Sequence, residues 1–253
     1  MKVNSIVMLS YGNLAKQFCD ALVNHDYPLV QLYNRSEVQL PEQLSKLEFT
    51  QDLEQLAYAD VYFLACSDNA ISELAQHIPN KDALIVHFSG ATDKEVLGNV
   101  KRRAVCWPMH SFQQEVNWSE VNTVIDADLE QDRNFLSQLF KQLGAQVFTA
   151  DKEQKAKMHL MATLVNNFSN HLLYQAEAYC QRNEIPFEFF QTLALNTAQT
   201  AFEKGAKSSQ TGPARRKDFI SLEKHINLID NEDLLKLYEY FSESIMKTYG
   251  KDL

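Results

Sequence analysis

Seven short apolar runs punctuate the first 150 residues, and no such run follows them. Ile6–Leu9, Leu29–Tyr33, Val61–Ala65, Leu84–Phe88, Ala104–Trp107, Val121–Ala127 and Gln146–Thr149 read as strands. Helical patterns lie between several of them, at Leu14–Asn24, Leu53–Ala59, Ala70–His77 and Leu129–Leu143. Strands that are apolar throughout and alternate with amphipathic helices need cover on both sheet faces, which predicts a parallel sheet between helical layers. After Ala150 the pattern is helical only, over about 152–182, 186–204, 219–229 and 231–248, with Pro186 at a helix start and Gly205 at a helix end. Lys207–Pro213 reads as an irregular connector. The expectation is an α/β domain at 1–150 followed by an all-helical domain at 151–253.

Bulk properties exclude several classes. The chain is 45% hydrophobic and 23% charged, which suits a packed globular protein and not a disordered one. Its formal net charge is -9. Residues 1–150 carry 11 basic and 19 acidic side chains, the remainder 13 and 14. A broad nucleic-acid footprint is therefore not expected, and an anion bound by the first domain must be held by local donors. No stretch approaches the ~20 apolar residues that cross a bilayer, and the first residues lack the longer apolar segment and cleavage site of a signal peptide. Cys19, Cys66, Cys106 and Cys180 are far apart, with no C-x-x-C pair. That spacing predicts no metal site and a reduced, cytoplasmic setting.

The first strand runs into Ser10-Tyr11-Gly12-Asn13-Leu14-Ala15, where a helix begins. This is the context of the dinucleotide-binding G-x-G-x-x-G/A loop. Gly12 and Ala15 fit its second and third positions, and Ser10 replaces the first glycine. Gly12 allows close backbone approach to a pyrophosphate, and the helix N-terminus offers free N–H groups and a positive dipole end. Ser10 serves if its backbone stays in an ordinary region; a tight turn there costs more. About 20 residues on, the second strand ends in Tyr33-Asn34-Arg35-Ser36, with no acidic side chain for a ribose 2′-OH. Arg35 between Asn34 and Ser36 suits a 2′-phosphate, favouring NADP over NAD, although such residues are also common in plain turns. Cys66, Ser67, Ser89 and Gly90 end the next two strands and would let a cofactor lie close to the backbone. Asp68 reads as a helix N-cap, and His87 as a structural histidine.

A second constellation lies on one helix. At ~100° per residue, His159, Thr163, Asn166, Asn167, Asn170, His171 and Tyr174 share an arc, while Met158, Met161, Val165, Phe168 and Leu172 occupy the rest. A solvated face usually carries Lys and Glu, and none occurs between Met158 and Gln175. Buried amides and imidazoles need partners, so the stripe is expected to face a polar ligand. His159 is the candidate proton donor, since imidazole titrates near neutrality, with Asn166 and Asn167 orienting the substrate. The segments Trp107–Phe112, which includes His110, and Gln210–Asp218 could close this site. The apolar side of Met158–Leu173 and the Phe-rich helix around Phe187–Phe202 exceed what one small domain can bury, which predicts a homodimer.

Ser10–Ala15, Asp60–Asp68, His87–Gly90, Pro108–Phe112, the His159–His171 helix with its Asn-Asn-Phe core, and Gln210–Asp218 occur in an order that carries a resemblance. The chain is similar to bacterial Rossmann-like proteins whose C-terminal half is a helical domain of unknown function. These are related to pyrroline-5-carboxylate reductases, 6-phosphogluconate dehydrogenase-like enzymes and deazaflavin-dependent NADP reductases. The resemblance implies a Rossmann-like sheet, a helical C-terminal domain like that of 6-phosphogluconate dehydrogenase, NADP as cofactor and dimerisation. It also implies an interdomain cleft containing Ser89, His110, His159, Asn166, Asn167 and His171. Ser10 departs from the pattern, and related hydroxyacid dehydrogenases use a helix lysine where only Lys155 and Lys157, ahead of the stripe, are near. Three readings stay open: an NADP-dependent oxidoreductase acting on a C=O or C=N carbon of a small polar substrate, a non-catalytic dinucleotide or metabolite sensor, and a dimeric scaffold with an empty crevice.

Overall fold

The computed structural model describes residues 2–250, which divide after Val165 into two compact units. In the first, β1 (Ile6–Leu9), β2 (Leu29–Tyr33), β3 (Glu48–Thr50), β4 (Val61–Leu64), β5 (Leu84–His87), β6 (Arg102–Pro108), β7 (Asn122–Ala127) and β8 (Gln146–Thr149) form one sheet. Its order is β3-β2-β1-β4-β5-β6-β7-β8. Every neighbouring pair from β3 through β6 is parallel, so the C-terminal ends of these strands share one edge.

The apolar strands are buried on both faces. Ile6 and Met8 enter one layer with α1 (Asn13–Asn24) and α3 (Glu130–Gln142), while Val7 and Leu9 enter the other with α2 (Asp68–Gln76). Phe18 of α1 centres the first layer. It meets Phe63 edge-on at 5.0 Å and stacks on Phe140 at 5.4 Å between ring centroids. Such pairs add about 0.5–1.5 kcal/mol each beyond burial.

The sheet is parallel, as expected, except that β7 runs antiparallel to β6. The link between them holds only a short 3-10 turn, Trp118–Glu120, and without a crossover helix the chain doubles back. β3 is an extra strand. The helix expected at Leu53–Ala59 shrinks to a 3-10 turn at Leu53–Gln55. There the buried Gln31 amide donates to Gln55 O at 3.0 Å and accepts from Ala57 N at 2.7 Å, drawing the segment out into extended backbone.

The helix α4 (Lys152–Ala162) starts at an Asp151 cap, whose carboxylate accepts from Gln154 N at 2.8 Å. A π-helical turn, Thr163–Phe168, follows. The second unit contains α5 (Ser169–Arg182), α6 (Gln191–Lys204), α7 (Ala206–Ser209), α8 (Pro213–Arg216), α9 (Phe219–Leu228) and α10 (Glu232–Tyr249). The connector expected to be irregular thus holds parts of two four-residue helices. Asp218 caps α9 by accepting from Ser221 N at 3.1 Å. Among the described residues of this unit, the buried apolar side chains are Cys180, Ala214, Leu222 and Tyr249 alone. No helix among the described residues is long and apolar enough to cross a membrane.

Candidate functional site

The strand order reverses between β1 and β4, and in open α/β sheets ligands bind outside the strand ends at such a point. The loop that leaves β1 there is a tight turn. Ser10 takes φ 80°, the left-handed region that glycine enters freely, and its N–H donates to Tyr33 O at 2.7 Å. The glycine geometry is therefore kept by a serine at a cost of about 1–2 kcal/mol. Gly12 is the N-cap of α1, with no side-chain cap and no acidic residue in the first turn. A Cβ on Gly12 would have no neighbour within 4 Å. The first N–H groups of α1 and its positive end thus face open space that a pyrophosphate can fill. Asn13 is exposed, Leu14 half-buried, and Tyr11 and Ala15 buried. Burial pushes the Tyr11 phenol up to about 12, so it stays neutral.

Asn34 ties this loop to the end of β2. Its carbonyl accepts from Tyr11 N at 3.2 Å and its amide donates to Ser36 O at 2.8 Å. That side chain is occupied in holding the turn. Arg35 and Ser36 are exposed, and no hydrogen bond or ion pair among the described residues engages the Arg35 guanidinium. These residues, with the β1 loop, offer unengaged donors that could hold a dinucleotide.

The ends of β4 and β5 carry a polar network that leaves His87 Nε2 without a hydrogen-bond partner among the described residues. Asp68 lies inside α2, whose N-cap is Ser67, so the expected cap role is corrected. Its carboxylate instead accepts from Ser89 Oγ at 2.8 Å and Thr92 Oγ1 at 3.0 Å, and Ser89 Oγ accepts from Thr92 N at 3.0 Å. Burial drives the Cys66 thiol up to about 11, which keeps it protonated. His87 is fully buried, and its Nδ1 accepts from Ser89 N at 3.2 Å. Burial pushes its pKa down to about 4; the Asp93 main chain pulls the other way, and the Lys155 ammonium adds to the depression. The imidazole is neutral at pH 7.

Lys155, which in sequence only precedes the polar stripe, is the group whose position the sequence did not reveal. Its side chain is 1% exposed, and Nζ donates to Gly90 O at 3.0 Å and Thr92 O at 2.9 Å, with Asp93 Oδ1 at 3.4 Å. The ammonium thereby ties α4 to the loop after β5. His159 stands four residues later, on the same face of α4. Its imidazole lies 5.3 Å from the Trp107 indole, tilted by 57°. Both rings crowd Gly90, where an added Cβ would come within 2.5 Å of Trp107 Cε2 and 2.7 Å of His159 Cδ2.

The other candidates lie on other elements. His110 is exposed and packs edge-on against Phe112 at 5.5 Å. Asn166 and Asn167 are exposed and lie in the π-helical turn, so the single arc expected from 100° per residue does not hold across them. His171 is exposed, stacked on Tyr174 at 5.9 Å, with Nε2 3.3 Å from Gln175 Nε2.

The family model for a domain of unknown function, DUF2520, matches residues 121–245. The chain is similar to a Bacteroides fragilis protein described as a candidate NADP oxidoreductase, with 33% identity, a TM-score of 0.85, and coverage of 96% of this chain and 98% of that one. It has the fold of a Thermotoga maritima protein, with 19% identity, a TM-score of 0.77, and coverage of 98% and 99%. It likewise has the fold of a Plasmodium falciparum pyrroline carboxylate reductase solved with NADP bound, with 12% identity, a TM-score of 0.62, and 97% of each chain covered. None of the curated proteins matches this chain.

Proposed function

The chain belongs to the family of Rossmann-fold NADP-oxidoreductase-like proteins with a DUF2520 region in their C-terminal part, and on that premise we propose that it catalyses hydride transfer between NADP(H) and the C=O or C=N carbon of a small polar substrate. The observation that carries this reading is the β1 loop. A serine is held at φ 80°, with the uncapped start of α1 behind it. Strain of that kind is retained where the loop's shape matters to a ligand.

In this reading the first-turn N–H groups of α1 hold the pyrophosphate, and Arg35 with Ser36 holds the 2′-phosphate at the β2 end. β4 and β5 lie on the other side of β1 from β2, which supports assigning the reacting end to the neighbourhood of Ser89, Gly90 and His159. Bound NADPH supplies the hydride, as cofactors carry this chemistry while the protein orients and donates protons. His159 holds a proton on a ring nitrogen and delivers it to the substrate oxygen or nitrogen as the carbon is reduced; in the reverse direction it accepts that proton. Asp68, Ser89 and Thr92 hold one another and keep the loop in shape.

Calorimetric titration with NADP and NAD, followed by NADPH consumption against a panel of carbonyl and imine compounds, tests the proposal. The expected preference is for NADP. Charge-assisted hydrogen bonds from Arg35 contribute about 1.5–3 kcal/mol, roughly a tenfold to hundredfold difference in affinity. Arg35→Ala should erase most of it. Equal affinities in the unmutated protein would refute the 2′-phosphate assignment, and tight binding without turnover on any compound would turn the reading toward a sensor.

A further inference from the structure

We propose that Trp107 is a positioning residue for His159, doing by ring packing what a hydrogen-bonding partner commonly does for a proton-transferring imidazole. The inference rests on the functional reading above for its purpose, but on separate observations for its geometry. A histidine that moves protons is usually oriented by a bond from its second ring nitrogen to a carboxylate or carbonyl. No hydrogen bond among the described residues engages either ring nitrogen of His159; its main-chain oxygen accepts from Thr163 Oγ1 at 3.0 Å and from Thr163 N. Both nitrogens are thus available to a substrate, and the ring's orientation must come from packing.

The packing is specific. Trp107 projects from β6, where the flanking Cys106 and Pro108 are buried, so the indole stands on a fixed base. The imidazole lies 5.3 Å from it, and the two rings close over Gly90. Gly90 has no left-handed backbone that would call for glycine. Its requirement is space: a Cβ would strike Trp107 and His159 at 2.5 and 2.7 Å, and both struck atoms belong to rigid rings. One helical turn earlier, the buried Lys155 fixes the distance between α4 and this same loop through Gly90 O and Thr92 O. The imidazole is therefore held between a fixed helix, a fixed indole and a backbone with no side chain.

The experiment is nuclear magnetic resonance of the full chain labelled with ¹³C in the imidazole rings. The His159 signals are identified by their loss in His159→Gln. The indole's ring current should displace the His159 Cδ2–H resonance from the range of exposed histidines such as His110. Trp107→Leu should return it to that range, Trp107→Phe should restore part of the displacement, and Gly90→Ala should move it by parting the rings. An undisplaced resonance in the original protein, or one that Trp107→Leu or Trp107→Phe leaves where it was, would overturn the proposal. Where Trp107→Leu does not fold, the Phe variant alone decides. Failure of NADPH to bind the original protein would overturn the functional reading instead, and the resonance would still report on the ring pair.

Discussion

Replacing Ser10 by glycine should stabilise the first unit. A non-glycine residue at φ 80° carries about 1–2 kcal/mol of steric cost, because Cβ crowds the following carbonyl. Glycine removes that cost and returns about 0.4–1 kcal/mol to the unfolded chain as conformational freedom. The Ser10 N–H bond to Tyr33 O is a main-chain bond and survives the change. The net expectation is a gain of about 0.5–1 kcal/mol, or roughly 1–4 °C in Tm for a unit of this size. Trp107 and Trp118 both lie before Val165, so tryptophan emission during urea unfolding reads this unit alone. Ser10→Ala is the control: it keeps the Cβ and should sit within about 0.5 kcal/mol of the original. NADP affinity should hold or rise in Ser10→Gly, since the loop already has the glycine shape. Destabilisation by Ser10→Gly would mean that the serine side chain supports the loop, and the strain argument would fail.

Other perturbations separate binding from folding. Gly12→Val should still fold, because its Cβ meets nothing within 4 Å, at the modest cost of a poorer N-cap, yet weaken NADP binding more than tenfold; normal calorimetric binding would show that the phosphates lie elsewhere. His87 has a folded pKa of about 4 against about 6.5 when unfolded, so the unfolded chain binds the extra proton between those values. Stability should therefore fall as pH drops from about 6.5 toward 4, by about 3 kcal/mol in all. His87→Asn, which keeps an acceptor for Ser89 N, should flatten that part of the urea-midpoint profile, and an unchanged slope would contradict the assignment. The second unit leaves Phe189, Leu193, Leu195 and Phe202 each more than 60% exposed, so a homodimer through these faces is expected. Light scattering at micromolar concentration showing a monomer would refute it.

What could be read from the sequence was set by how local its cause is. β1 and β4 are legible because strands covered on both faces are apolar at every position, and β2 and β5 because one polar residue each, Gln31 and His87, leaves the run readable. β3 is not, since three residues, Glu48-Phe49-Thr50, make no pattern. The direction of β7 depends on an absent crossover, and the loss of helix after Leu53 depends on Gln31, more than 20 residues away; neither cause is visible in the segment it acts on. The Ser10 loop shows the same limit at smaller scale. Its spacing announces the turn, but only the structure gives the sign of φ. Lys155 is the sharpest case. A lysine within Lys152–Lys157 reads as a solvated helix face, and nothing nearby contradicts that. Its ammonium is buried because two carbonyls, Gly90 O and Thr92 O, come off β5 unpaired and need a donor. Backbone acceptors carry no side-chain signature. A residue recruited to satisfy them is therefore the one kind of site member that composition, period and spacing cannot reveal, even when it sets the position of an imidazole one turn away.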